Sequence, residues 1–216
     1  MRSPAAIGLL RDLLAPPRCG TCSAPCEAAE IICRPCSRDL ASARGGSTSL
    51  PGICRVTWTA PYEGTARALV VALKFRGAVS LARVAGGAVV SSLPAELDGW
   101  RVVAVPAAPF RHRRRGYDPA ELIAVEVSSQ LGLAIDAPLR RADNRRQVGR
   151  PRRERVASPP RIGARCSAPP RTLLVDDVLT TGATLSACAT ALRAAGSTEV
   201  RASVFAHALG DPGAGA

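Results

Sequence analysis

Apolar residues recur along this chain with two different periods. Ala66, Leu69, Val70 and Leu73 fall at helical spacing within Gly64–Arg76 and predict a helix, and Leu81–Leu93 predicts another. Val102-Val103-Ala104-Val105 is a short continuous apolar run stopped by Pro106, the pattern of a strand buried on both faces. Leu173-Leu174-Val175 repeats that pattern, and Val200–Phe205 predicts a last strand. Helices are predicted from about Pro119 to Leu131 and from Thr184 to Ala195, the latter closed by Gly196. Cys54–Pro61 has the β-branched and aromatic content of a strand. Strand-then-helix alternation from residue 101 onward predicts an α/β fold, doubly wound on a mainly parallel sheet.

The remaining segments read differently. Residues 1–18 suggest a short amphipathic helix ending at Pro16-Pro17, and residues 19–36 hold a cysteine module. Ser37–Gly52, with Gly45-Gly46-Ser47-Thr48-Ser49 and Pro51-Gly52, has the composition of a linker. Arg140–Arg165 is basic and poor in large apolar residues, which predicts a loop, and the tail 210–216 is expected to be disordered. The expected division is therefore an N-terminal module with linker over 1–52, a main domain over 53–209, and a tail. No internal repeat is found.

Composition narrows the function classes. At 47% hydrophobic and 21% charged over 216 residues, the chain reads as globular, and no apolar run reaches the 18 residues of a membrane span. Ile7-Gly8-Leu9-Leu10 is broken by Arg11 and Asp12, too short for the apolar core of a secretory signal, so a cytoplasmic location is expected. In such a reducing compartment the eight cysteines do not predict a disulfide framework. The net charge of +12 points to an anionic partner but does not separate nucleic acid from a small phosphorylated ligand.

The densest chemistry lies in Val175-Asp176-Asp177-Val178-Leu179-Thr180-Thr181-Gly182-Ala183-Thr184. An apolar strand runs into two adjacent carboxylates, then a Thr/Gly loop, then a helix. Ligands of open α/β sheets sit beyond the carboxyl ends of the strands. Loop amides, threonine hydroxyls and a helix N-terminus together form a phosphate cradle. Gly182 lets the backbone approach closely, and Asp176 and Asp177 can accept hydrogen bonds from a sugar diol. An acidic turn capped by a threonine accounts for single residues here but not for the whole string. The segment resembles the phosphoribosyl-pyrophosphate (PRPP) binding motif of type I phosphoribosyltransferases.

Two further groups of residues extend the picture. Residues 101–165 carry 15 arginines against 6 acidic residues, including Arg111, Arg113 and Arg115 in a predicted loop after the first sheet strand. The planar guanidinium fork suits phosphate and pyrophosphate. Near the N-terminus, Cys19-x2-Cys22 and Cys33-x2-Cys36 form two pairs separated by ten residues, a spacing suited to tetrahedral Zn²⁺, with Cys26 as a fifth candidate that leaves the ligand set open.

Arg111-x-Arg113-x-Arg115-Gly116-Tyr117, Arg146-Gln147-Val148-Gly149, Leu73-Lys74-Phe75-Arg76-Gly77 and the leading cysteines together resemble the ComF family over most of residues 15–206. The resemblance implies a type I phosphoribosyltransferase fold with a small zinc-ribbon-like module whose ligands are Cys19, Cys22, Cys33 and Cys36. It implies that Asp176 and Asp177 hold the ribose hydroxyls, and that Thr180, Thr181, Gly182, Ala183 and Thr184 wrap the 5′-phosphate. Lys74, Arg111, Arg113 and Arg115 would face pyrophosphate, which family members handle with Mg²⁺. Where the family usually has Asn-Gln, this chain has Asp118-Pro119. The resemblance admits two functions. One is transfer of phosphoribosyl from PRPP to an acceptor the sequence does not name. The other is a non-catalytic PRPP-binding accessory of DNA uptake that contacts single-stranded DNA and a helicase-like ATPase.

Overall fold

In the computed structural model, which describes residues 17–141 and 160–208, the chain forms a mixed α/β architecture with a mainly parallel central sheet. Its helices are α1 (Arg34–Ser42), α2 (Gly64–Phe75), α3 (Leu81–Ser91), α4 (Pro109–Arg115), α5 (Pro119–Leu131) and α6 (Ala183–Ala194). Its strands are β1 (Gly46–Leu50), β2 (Ile53–Pro61), β3 (Arg101–Ala104), β4 (Ile135–Asp136), β5 (Leu139–Arg141), β6 (Ile162–Ala164), β7 (Arg171–Leu179) and β8 (Glu199–His207). The main sheet has the order β1-β2-β8-β7-β3-β4, parallel from β2 to β4, with β1 antiparallel on its edge. The chain leaves β3 toward β4 on one side and leaves β7 toward β8 on the other. The strand order therefore reverses between β3 and β7, where open α/β sheets form a crevice.

Helices cover both faces, as the doubly wound pattern predicts. On one face Leu69 and Leu73 of α2, Leu81 and Val89 of α3 and Ile123 of α5 pack on Leu173, Val175 and Phe205. On the other, Leu185 and Leu192 of α6 pack on Leu174, Val56 and Val204. The local signals are legible in the caps: Pro119 opens α5 behind an Asp118 N-cap, and Gly132, at φ 66°, closes it in the left-handed region.

Several expectations are corrected. Ser37–Gly52 is not a linker: it holds most of α1 and all of β1, and β1 pairs with β2, so the main sheet begins before residue 53. Gly46 is explained by close approach rather than flexibility, because a Cβ there would run into the Trp58 ring. The arginine-rich segment after β3 is a short helix, α4, started by Pro109 and closed by Gly116 at φ 78°. Its basic last turn also suits the helix dipole. The ends of the predicted 140–165 loop pair as the antiparallel ribbon β5–β6. The predicted N-terminal helix up to residue 16, Arg146–Gly149 and the 210–216 tail lie outside the described residues.

The cysteine module sits directly on the helices. Gly20 lies against Leu81, where an added Cβ would come within 2.9 Å of Cδ2, and Arg76 donates to the Thr21 carbonyl at 3.0 Å. Asp39 of α1 accepts from the Thr65 amide at the start of α2, 3.1 Å away. Among the described residues no helix is long and apolar enough to cross a membrane. Phe205 is wholly buried at the centre of the core. Phe205→Ala is expected to destabilise the fold by about 3–5 kcal/mol, measured by chemical denaturation.

Candidate functional site

The crevice at the carboxyl ends of β3 and β7 collects the residues singled out in the sequence. β7 does not stop at the acidic pair but continues through Leu179, so Asp176 and Asp177 lie within its last turns of pleat. Asp177 is buried, and its Oδ1 accepts from Lys74 Nζ of α2 at 2.7 Å. Asp176 is half-buried, and its Oδ1 accepts from the Asp177 amide at 2.8 Å. Desolvation by the surrounding protein, followed by the neighbouring Asp177 charge, pushes the Asp176 carboxyl well above the usual carboxylate range, and the Lys74 charge pulls the other way.

Thr180, Thr181 and Gly182 carry the chain from β7 into α6. Gly182 has φ 76°, which disfavours any larger residue, and a Cβ would lie 2.6 Å from Leu50 Cδ1 of β1, so the Leu50 side chain would have to shift. Thr180, Thr181 and Ala183 are exposed and Thr184 is half-exposed, which leaves the turn open at the N-terminus of α6. Thr181 Oγ1 accepts from the Ala183 amide at 3.5 Å. An exposed turn of this kind, with a helix N-terminus behind it, can receive an anion.

The basic residues divide. Lys74 is in the crevice. Arg115 is half-buried with its guanidinium 5.2 Å from the centre of the Phe75 ring, next to Lys74 in sequence. Arg111 and Arg113 are exposed on α4. In the sequence, Asp118 stands out only as a departure from a family pattern. In the fold it is 8% exposed, accepts from the Ala107 and Ala120 amides at 2.7 and 3.1 Å, and lies within electrostatic reach of Asp177. The Asp-Pro pair at a helix start was the available signal.

The second cluster is sulfur. The thiols of Cys19, Cys22, Cys33 and Cys36 lie within 4.8 Å of one another, and Cys22 and Cys33 are 3.7 Å apart. A tetrahedral site with metal–sulfur bonds of about 2.3 Å places its sulfurs about 3.8 Å apart, so the four residues fit a metal such as Zn²⁺. Cys26 packs against this cluster, but its thiol turns to the Glu30 carbonyl at 3.7 Å. Burial opposes ionisation of Cys19, yet bonds from the Cys22 amide, the Thr21 hydroxyl and the Cys33 amide bring its thiol down to about 5. Burial pushes Cys36 up to about 12. N–H donors onto sulfur of this kind are what a thiolate ligand requires.

Because its proton affinity is raised on folding, Asp176 lowers stability as pH rises from its ordinary value near 3.8 toward the raised one. Below that window the contribution vanishes. Asp176→Asn is therefore expected to melt higher than the parent at pH 7, by about 2–4 °C for each kcal/mol relieved, with the difference closing near pH 4 in thermal scans.

No protein-family model matches the chain, and no curated protein sequence does. Among solved structures, the chain is similar to that of the allosteric regulatory enzyme of purine biosynthesis, with a TM-score of 0.39 and 21% identity over 59% of this chain. The match spans 26% of that enzyme's chain. It is also similar to orotate phosphoribosyltransferase from Aeropyrum pernix, with a TM-score of 0.36 and 16% identity over 79% of this chain and 78% of that one.

Proposed function

We propose that the crevice between β3 and β7 binds PRPP with Mg²⁺, and that the protein is a phosphoribosyltransferase-like protein of ComF type. The observation that carries this reading is the convergence of Asp176, Asp177 and Lys74 beside the open Thr180–Gly182 turn at the point where strand order reverses. On this reading the two carboxylates accept hydrogen bonds from the ribose diol. Thr180, Thr181, Gly182, Ala183 and Thr184 enclose the 5′-phosphate. Lys74, with Arg111, Arg113 and Arg115, faces the pyrophosphate. The hard carboxylate oxygens suit Mg²⁺, which when bound neutralises charge on the leaving pyrophosphate. In transfer, the bond from the anomeric carbon to pyrophosphate breaks and a bond to an acceptor forms. The side chains' share of the work is to hold the ribose and the departing oxygens in place.

We assign a structural Zn²⁺ to Cys19, Cys22, Cys33 and Cys36, and a cytoplasmic location. A second reading keeps PRPP binding without turnover and places single-stranded DNA on α4, with a helicase-like ATPase as partner. Phe110 and Phe75 favour it, since they stand 52% and 67% exposed beside the arginines and offer stacking surface for bases.

Calorimetric titration of PRPP with Mg²⁺ tests the first reading. Micromolar binding is expected for the parent and its loss for the variant carrying both Asp176→Asn and Asp177→Asn. No binding by the parent would overturn the PRPP site and move the assignment to nucleic acid. Metal analysis is expected to find close to one zinc per chain, lost in Cys33→Ala and kept in Cys26→Ala. Zinc-free protein from zinc-replete medium would refute the metal assignment.

A further inference from the structure

The turn Gly116–Pro119 joins α4 to α5 and touches both walls of the crevice. Tyr117 donates its hydroxyl to the Leu73 carbonyl at 2.6 Å, one residue before Lys74. Asp118 has both carboxylate oxygens engaged. Oδ1 accepts from the Ala120 amide, which is an ordinary N-cap bond for α5. Oδ2 accepts from the Ala107 amide at 2.7 Å, and this shorter bond plays no part in capping. Ala107 lies on the connection that leaves β3. That connection starts beside β7, because the Val105 amide still bonds the Val175 carbonyl at 2.9 Å, one residue before Asp176. The second oxygen therefore ties the wall opposite the acidic pair to the start of α5. Burial, with the Asp177 and Glu121 charges adding to it, raises the proton affinity of Asp118, and its two amide contacts oppose this. A carboxylate kept in such surroundings is held there by geometry, since a helix cap alone does not need it.

The geometry points to Asp118 as a positioning residue of the crevice, its Oδ2–Ala107 bond setting the distance of the β3 connection from Asp177 for the pyrophosphate-bearing sugar. This rests on the PRPP reading. Asp118→Ser separates the two bonds, because serine caps a helix about as well as aspartate but has one oxygen rather than two. Asp118→Asn also has one acceptor oxygen, but on a longer side chain that reaches the Ala107 amide, so it keeps that bond and gives up the Ala120 cap. Asp39→Ala is the control: it also loses a carboxylate–amide bond at a helix start, but at the end of α2 remote from Lys74.

The experiment measures PRPP affinity with Mg²⁺ by calorimetry and melting temperature for all four proteins. Asp118→Ser is expected to bind about tenfold more weakly than the parent, the equivalent of one hydrogen bond to a charged group, while melting no lower than Asp39→Ala. Asp118→Asn is expected to recover affinity to within about threefold of the parent. Parent-like binding by Asp118→Ser, no recovery in Asp118→Asn, or equal weakening in Asp39→Ala would each overturn the positioning role while leaving the PRPP site standing. A parent that does not bind PRPP would overturn both.

Discussion

At the carboxyl end of the parallel sheet the Asp177 charge adds to burial in raising the proton affinity of Asp176 and Asp118, and much of the surrounding structure answers that concentration of negative charge. Burying a carboxylate is unfavourable unless donors or counter-charge replace its water. Here Lys74 supplies the charge for Asp177, and backbone amides supply donors for Asp176 and Asp118. Each donor has to be delivered by a separate element. α2 must present Lys74, the β3 connection must present Ala107, and α5 must begin where its first turn meets Asp118. The packing of α2, α3 and α5 on one face of the sheet serves that delivery as much as it serves the core.

The main elements were legible because their signals are local. Apolar runs bounded by Pro106 and by the acidic pair marked β3 and β7, and helical spacing marked α2 and α5 nearly to the residue. Errors came where a composition rule met a tertiary contact. Gly45-Gly46-Ser47 looks like a flexible connector, yet Gly46 is small because Trp58 lies over it, and Ser47, Thr48 and Ser49 lie exposed along an edge strand. The arginines suggested a loop because they lack apolar spacing, but a proline start and a glycine stop are enough for two turns of helix at a surface.

The candidate site was partly legible in the same sense. The string from Val175 to Thr184 carries its own order, so the Thr/Gly turn and the acidic pair could be placed together. What could not be read was the company they keep. The Lys74–Asp177 pair joins residues 103 positions apart, and the Asp118–Ala107 bond depends on where a turn folds back. Among the five clustered cysteines, spacing alone left Cys26 in contention. In the fold the Cys26 thiol lies outside the group of four close sulfurs and turns to the Glu30 carbonyl.

Leu50 fills the space beneath Gly182, and Leu50 belongs to the strand that follows the cysteine module and α1. The floor of the turn after β7 is thus built from chain that lies well over a hundred positions upstream. A cysteine module docked on Leu81 and Arg76, followed by a helix tethered to Thr65, leads straight into that floor. The N-terminal part is therefore not an exchangeable attachment. Grafting a different module at this point, or excising the present one, would change the ground on which the turn rests.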